Sequence, residues 1–179
     1  MSIETAFLQS VIKRFQYYKE LGDKTFARLE DKDFNHQPDG EPNSIAIIIQ
    51  HVSGNMISRW TNFLTEDGEK PWRNRDGEFI SRLLTKQQLL EMWEKSWICM
   101  FNILENLTGD DLLKTVHIRH EPHVALDAII RQLSHYSYHA GQIVYIGKMI
   151  EGEKWINLSI AKGKSEEFNE RKKKESDAG

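Results

Sequence analysis

Leu133-Ser134-His135-Tyr136-Ser137-Tyr138-His139-Ala140-Gly141-Gln142 places two histidines four residues apart inside a longer amphipathic pattern. Ile129, Leu133, Tyr136, Ala140, Ile143 and Gly147 recur at the three-to-four spacing of one helix face. His135 and His139 lie at the border of that face, on the side shared with Ala128 and Ile146, and not on the solvent side. On an α-helix residues four apart are surface neighbours, so both imidazoles can reach one metal ion. Pro122 suits the first turn of this helix, where its missing N–H costs nothing. Gly152 ends it just after Ile150.

Two ligands hold a metal poorly, and a third donor must come from another segment. His51 is the best candidate. It belongs to a second helical pattern that starts at Asn43 or Ser44 and carries Ile45, Ile48, Val52, Met56, Trp60 and Phe63 on its apolar stripe. Gly54 interrupts that helix at a cost of about 1 kcal/mol relative to Ala. A close approach by a helix or ligand explains it, and so does a tolerated weakness. Three neutral imidazoles leave a fourth position open for water or substrate, the arrangement of catalytic zinc. The competing reading is that all three are boundary histidines hydrogen-bonded to neighbours.

Two further helical patterns complete the chain. Ile3 to Leu29 carries Ile3, Phe7, Val11 and Phe15 on one face. Thr85-Lys86-Gln87-Gln88 is a capping box, opening a helix with Leu89, Leu90, Trp93, Trp97, Met100, Phe101 and Leu104 on its stripe, ended by Gly109. The polar segment Glu30 to Pro42, with Pro38, Gly40 and Pro42, reads as a loop in which His36 is solvated. Thr65 to Leu84 is charged and helix-poor, a length that is often functional and that permits a crossover between the second and third helices. Thr115 to Arg119 alternates and reads as a short extended piece. Four long helical patterns and almost no strand signal make the chain all-α, a four-helix bundle with a long crossover. The bundle spans residues 1–165, and the charged tail 166–179 is expected to be frayed or disordered.

A net charge of -3 gives no reason to expect nucleic acid or an anionic membrane as partner. No apolar stretch approaches the roughly 20 residues needed to span a bilayer. There is no basic, then apolar N-terminal segment, so a cytoplasmic location is expected. Cys99, the one cysteine, excludes an internal disulfide and lies well off its helix stripe, as a boundary residue and not a nucleophile.

A rival cluster, His117, His120 and His123, is interrupted by Pro122 in polar surroundings and reads as a solvated turn. Arg73, Arg75 and Arg119 are candidate anion clamps for a substrate, because a guanidinium grips a carboxylate bidentately. Ser134, Tyr138 and Gln142 flank the histidines and can orient them.

His51 with Gly54-Asn55-Met56, the stretch Trp72-Arg73-Asn74-Arg75-Asp76-Gly77-Glu78-Phe79, and Arg131 through Gln142 together resemble the DinB/YfiT-like metal-binding bundles. More narrowly they resemble an uncharacterised bacterial subgroup, which the ending Leu158-Ser159-Ile160-Ala161-Lys162-Gly163-Lys164-Ser165 also fits. The resemblance implies a homodimeric four-helix bundle with a divalent metal, zinc or nickel, on the positions of His51, His135 and His139. It implies thiol-dependent S-transferase or isomerase chemistry with a low-molecular-weight thiol such as bacillithiol or mycothiol, or metal-dependent hydrolysis. No residue matches a thiol-binding motif.

Three functions follow as expectations. The first is an S-transferase-like enzyme in which metal-bound thiol attacks a small-molecule electrophile in detoxification. The second is a hydrolase using metal-bound water. The third is a non-catalytic, metal-stabilised dimeric bundle.

Overall fold

The structure, a computed structural model, describes residues 1–37 and 43–177. Pro38, Gly40 and Pro42, expected in a loop, lie outside the described residues. The chain is mostly helical, with one two-stranded sheet. No helix among the described residues is long and apolar enough to cross a membrane.

Helix α1 spans Ile3–Phe26 and is capped by the Ser2 hydroxyl, which accepts the Thr5 N–H. It stops before the expected Leu29 because Glu30 and Asp33 form a capping box for a short helix, α2, at Asp31–Phe34. One apolar residue among charges gives no periodicity, so this helix has no local signature. Phe34 anchors it by burying its ring against Phe26.

Helix α3 spans Ile45–Trp60, and Ser44 caps it by accepting the Ile47 N–H. It ends one turn before Phe63, which stays buried past the helix end. The connection to the next helix holds one 3-10 turn, Asp76–Phe79. Helix α4, Lys86–Leu104, opens with the expected Thr85–Gln88 capping box. It stops short of Gly109, which instead precedes a 3-10 turn at Asp110–Leu113.

Strand β1, Thr115–Ile118, fits the extended piece, but it pairs antiparallel with β2, Glu121–Val124. Pro122 therefore sits in a strand opposite His117, not in the first helical turn, and α5 begins later, spanning Ala125–Glu151. The physical reason is a tertiary contact. Arg119 and His120 both take positive φ, as a tight hairpin turn requires. The Asp67 carboxylate accepts both of their backbone N–H groups, at 2.9 and 2.7 Å, and holds that unfavourable geometry. Gly152 caps α5 with φ 56°, a conformation that glycine adopts without steric cost.

Over its described part the tail is a helix, α6, Ser165–Asp177, where a frayed segment was expected. It buries no residue, and pairs such as Lys172–Glu175 lie along its surface.

Helix α3 packs mainly on α4 and α1 mainly on α5, with α3 also meeting α5 and the 3-10 turn at 76–79. Aromatic rings fill the centre. Phe15 meets Trp60 and Trp97 edge-on at 6.3 Å, and Trp97 meets Trp93 at 5.3 Å. Such pairs add about 0.5–1.5 kcal/mol each beyond their burial. The Trp60 indole donates to the Tyr136 hydroxyl, which donates to Asn55, a buried chain of hydrogen bonds that links α3 to α5. That packing fixes α3 against α5 and sets the position of their histidines.

Candidate metal centre

His51, in the second turn of α3, and His135 and His139, one turn apart on α5, converge. One ring nitrogen from each lies within 4.8 Å of the others. His51 and His139 are buried and His135 is nearly so. Their ring centres stand 4.8–5.3 Å apart.

Hydrogen bonds decide which nitrogens face inward. The His51 Nδ1 lies 2.9 Å from Glu78 Oε2, and a carboxylate only accepts, so Nδ1 carries the proton and Nε2 is bare. The His139 Nδ1 donates in the same way to Gln142 Oε1 at 2.7 Å, leaving its Nε2 bare. That Nε2 is buried and has no hydrogen-bond partner among the described residues. The His51 and His135 Nε2 atoms approach to 3.2 Å. A proton on His135 can bridge that pair but leaves the His139 nitrogen unsatisfied. A cation serves all three.

The fit to a metal rests on these facts. Two nitrogens bound to one tetrahedral zinc are about 3.3 Å apart, given Zn–N lengths of about 2.0–2.1 Å. The His51–His135 pair already stands at that spacing, and the whole set stands wider. Burial, together with the neighbouring histidines and arginines, pushes His135 down to about 3. Burial also pushes His139 down to about 4, against the hydrogen bond to Gln142. Both are neutral at pH 7, the form a metal needs.

Glu78 is the residue that sequence reasoning missed. Its carboxylate orients His51 and is itself gripped by Arg73, whose Nε and Nη2 reach the two oxygens at 2.8 Å each. Burial acts to raise the Glu78 carboxyl, but the bonds from His51 and Arg73 outweigh it and hold it below the usual range. Helix α3 admits this carboxylate because Gly54, nearly one turn beyond His51, has no side chain. A Cβ there would overlap Glu78. The mid-helix glycine was the one available signal, and its partner was not legible.

The candidate anion clamps separate. Arg73 is 2% exposed and spends its guanidinium on Glu78 and, at 3.4 Å, on Glu69. Arg119 pairs with Glu69 at 3.2 Å, as does Arg59 at 3.0 Å. Arg75 stands over the Phe79 ring at 5.3 Å, and Phe79 in turn lies 4.7 Å from the His51 ring. Of the flanking residues, Gln142 holds His139 as expected, and Ser134 bonds back to the Ile130 carbonyl of its own helix. Tyr138 packs against His139 with its ring tilted and 4.2 Å between ring centres. His117 and His120 are exposed on the hairpin, and His123 faces Asp127 at 3.4 Å. Cys99 is half-buried, with its thiol pushed up by burial.

A sequence model of the family described as "Protein of unknown function (DUF1572)" matches residues 2–164. No curated protein matches the chain. Among solved structures, a conserved protein of locus from Enterococcus faecalis superposes with a TM-score of 0.60 at 15% identity. The match covers 86% of this chain and 99% of that one. It is a likeness of fold alone.

Proposed function

The chain belongs to the DUF1572 family, and we propose a metal-dependent enzyme from the geometry of its histidines, with the DinB/YfiT-like four-helix bundle and S-transferase-like chemistry on a low-molecular-weight thiol taken from what the sequence resemblance implies. One observation carries this reading: bare imidazole nitrogens from α3 and α5 converge in a buried space, and the His139 Nε2 there has no other partner. Imidazole donors suit zinc or nickel. His51, His135 and His139 would hold the ion.

A divalent ion with an open position lowers the pKa of a thiol or water beside it and so supplies a nucleophile near neutral pH. The chain's own residues do the rest. Glu78 and Gln142 hold the His51 and His139 rings with their bare nitrogens inward. Arg73 keeps Glu78 ionised and in place, as a positioning residue. Phe79 packs against the His51 ring and Tyr138 against the His139 ring. In the transfer itself the thiol gives up its proton, its sulfur bonds to an electrophilic carbon, and the leaving group departs with the bonding pair.

The test is metal content by elemental analysis of tag-free wild type, H51A and H139A, followed by a screen of electrophiles with and without added thiol. About one ion per chain, lost in both variants, with turnover only when thiol is present, is the expected result. Turnover without thiol would move the reading to hydrolysis. A bound ion with no turnover in either arm would leave a metal-stabilised scaffold. No ion after reconstitution would return the histidines to ordinary hydrogen-bonded residues.

A further inference from the structure

Of Arg59, Arg73, Arg75 and Arg119, three have acidic partners within 3.4 Å. Arg59 and Arg119 end on Glu69, and Arg73 is divided between Glu69 and Glu78. Arg75 differs. Its side chain is 47% exposed, and among the described residues its one ion pair is with Asp76 at 3.7 Å, a side chain itself 96% exposed. A contact of that length in water contributes little. The guanidinium instead lies on the face of Phe79. A cation–π contact spends none of the guanidinium N–H donors, which can bind a carboxylate bidentately.

The position of Arg75 relative to the metal ligands follows from two steps. Its Cζ is 5.3 Å from the Phe79 ring centre, and that ring is 4.7 Å from the His51 ring centre. The guanidinium thus stands at most about 10 Å, the sum of those steps, from the His51 imidazole. Tyr138 packs on the same histidine cluster. It is 54% exposed, its ring centre lies 4.2 Å from that of His139, and its hydroxyl donates to no described residue.

We propose that Arg75, with the Tyr138 hydroxyl on the same histidine cluster, forms an anion subsite beside that cluster, selecting a small ligand that carries a carboxylate a few bonds from its reactive sulfur. The Phe79 ring holds the guanidinium in place, so little rotamer freedom is lost when the anion arrives. This subsite rests on the metal reading proposed above and specifies which thiols that site accepts.

The test uses full-length protein loaded with cobalt(II), with loading measured first. Three probes are titrated and followed by the sulfur-to-cobalt absorption band: 3-mercaptopropionate (anionic), 2-mercaptoethanol (neutral) and cysteamine (cationic). These thiols differ in acidity, so the affinity ratio is compared between wild type and R75Q. The expected result is a mercaptopropionate-to-mercaptoethanol ratio that falls about tenfold in R75Q, equivalent to about 1.4 kcal/mol. The mercaptoethanol affinity and the cobalt stoichiometry stay unchanged. Y138F gives a smaller fall in the same ratio, and the cysteamine-to-mercaptoethanol ratio does not fall in R75Q. An unchanged ratio in R75Q would overturn the subsite, and so would equal weakening of all three thiols. Failure to take up cobalt at all would overturn the metal reading along with it.

Discussion

The Glu78 carboxylate occupies the space beside Gly54 in which any other residue would place its Cβ. From there it reaches His51 Nδ1 at 2.9 Å. A glycine that weakens α3 as a helix is thus the condition for orienting a histidine of the candidate metal centre on the same helix.

Gly54→Ala separates these two effects. On helix propensity alone the substitution would stabilise α3 by about 1 kcal/mol. We expect the reverse, a lower Tm together with metal affinity weakened about 10–100-fold, as for the loss of a carboxylate that orients a histidine ligand. Chelator competition and thermal denaturation read both quantities. A more stable variant with unaltered affinity would show that Glu78 moves aside freely.

Removing Glu78 leaves Arg73 buried with Glu69 alone, at 3.4 Å. Breaking a buried ion pair from one side costs about 3–5 kcal/mol. Glu78→Ala should therefore lose about that much in urea denaturation, and Arg73→Met added to it should restore part of the loss. Additive losses in the double-mutant cycle would mean that the two side chains do not act as a pair.

His135 and His139 lie at about 3 and about 4, well below the ordinary histidine value of 6.5. Between those values and 6.5 the unfolded chain binds more protons than the folded one. The stability due to these groups is therefore complete above pH 6.5 and declines as pH falls through that window. Each group contributes a slope of up to about 1.4 kcal/mol per pH unit. Chelator-treated protein, denatured with urea between pH 7.5 and 4.5, should show this decline, and H135Q should show a shallower one. A flat profile would place both imidazoles in contact with water.

Metal saturation stabilises the native state by about 2.7 kcal/mol at a free concentration 100 times Kd. For a chain of this size that is a rise in Tm of about 5–10 °C. Scanning calorimetry with zinc and then excess chelator should show the rise and its reversal in wild type and neither in H139A. An equal rise in H139A would point to binding elsewhere.

Asp67 accepts backbone N–H groups from Glu69, Arg119 and His120. Burial acts to raise its carboxyl, but these bonds hold it at about 2. Asp67→Ala should cost about 1–3 kcal/mol by freeing the hairpin turn while leaving metal stoichiometry intact. Amide exchange confined to β1 and β2 would locate the effect, and loss of metal would show that the hairpin also supports the histidines.

The sequence by itself determined whatever repeats with a helical period or is capped locally. The stripes of α1, α3, α4 and α5, the Ser44 cap and the Thr85–Gln88 box all report burial or backbone needs within a few residues. The His135–His139 spacing belongs to the same class, because one helix fixes it. Only the tertiary structure decided which residues face those histidines. Glu78 reaches His51 across 27 positions, and Asp67 holds the turn at Arg119 across 52. Contacts of that range leave no period in the chain. They exist because the aromatic core sets α3 against α5 and the connection after α3 is long enough to fold back onto it.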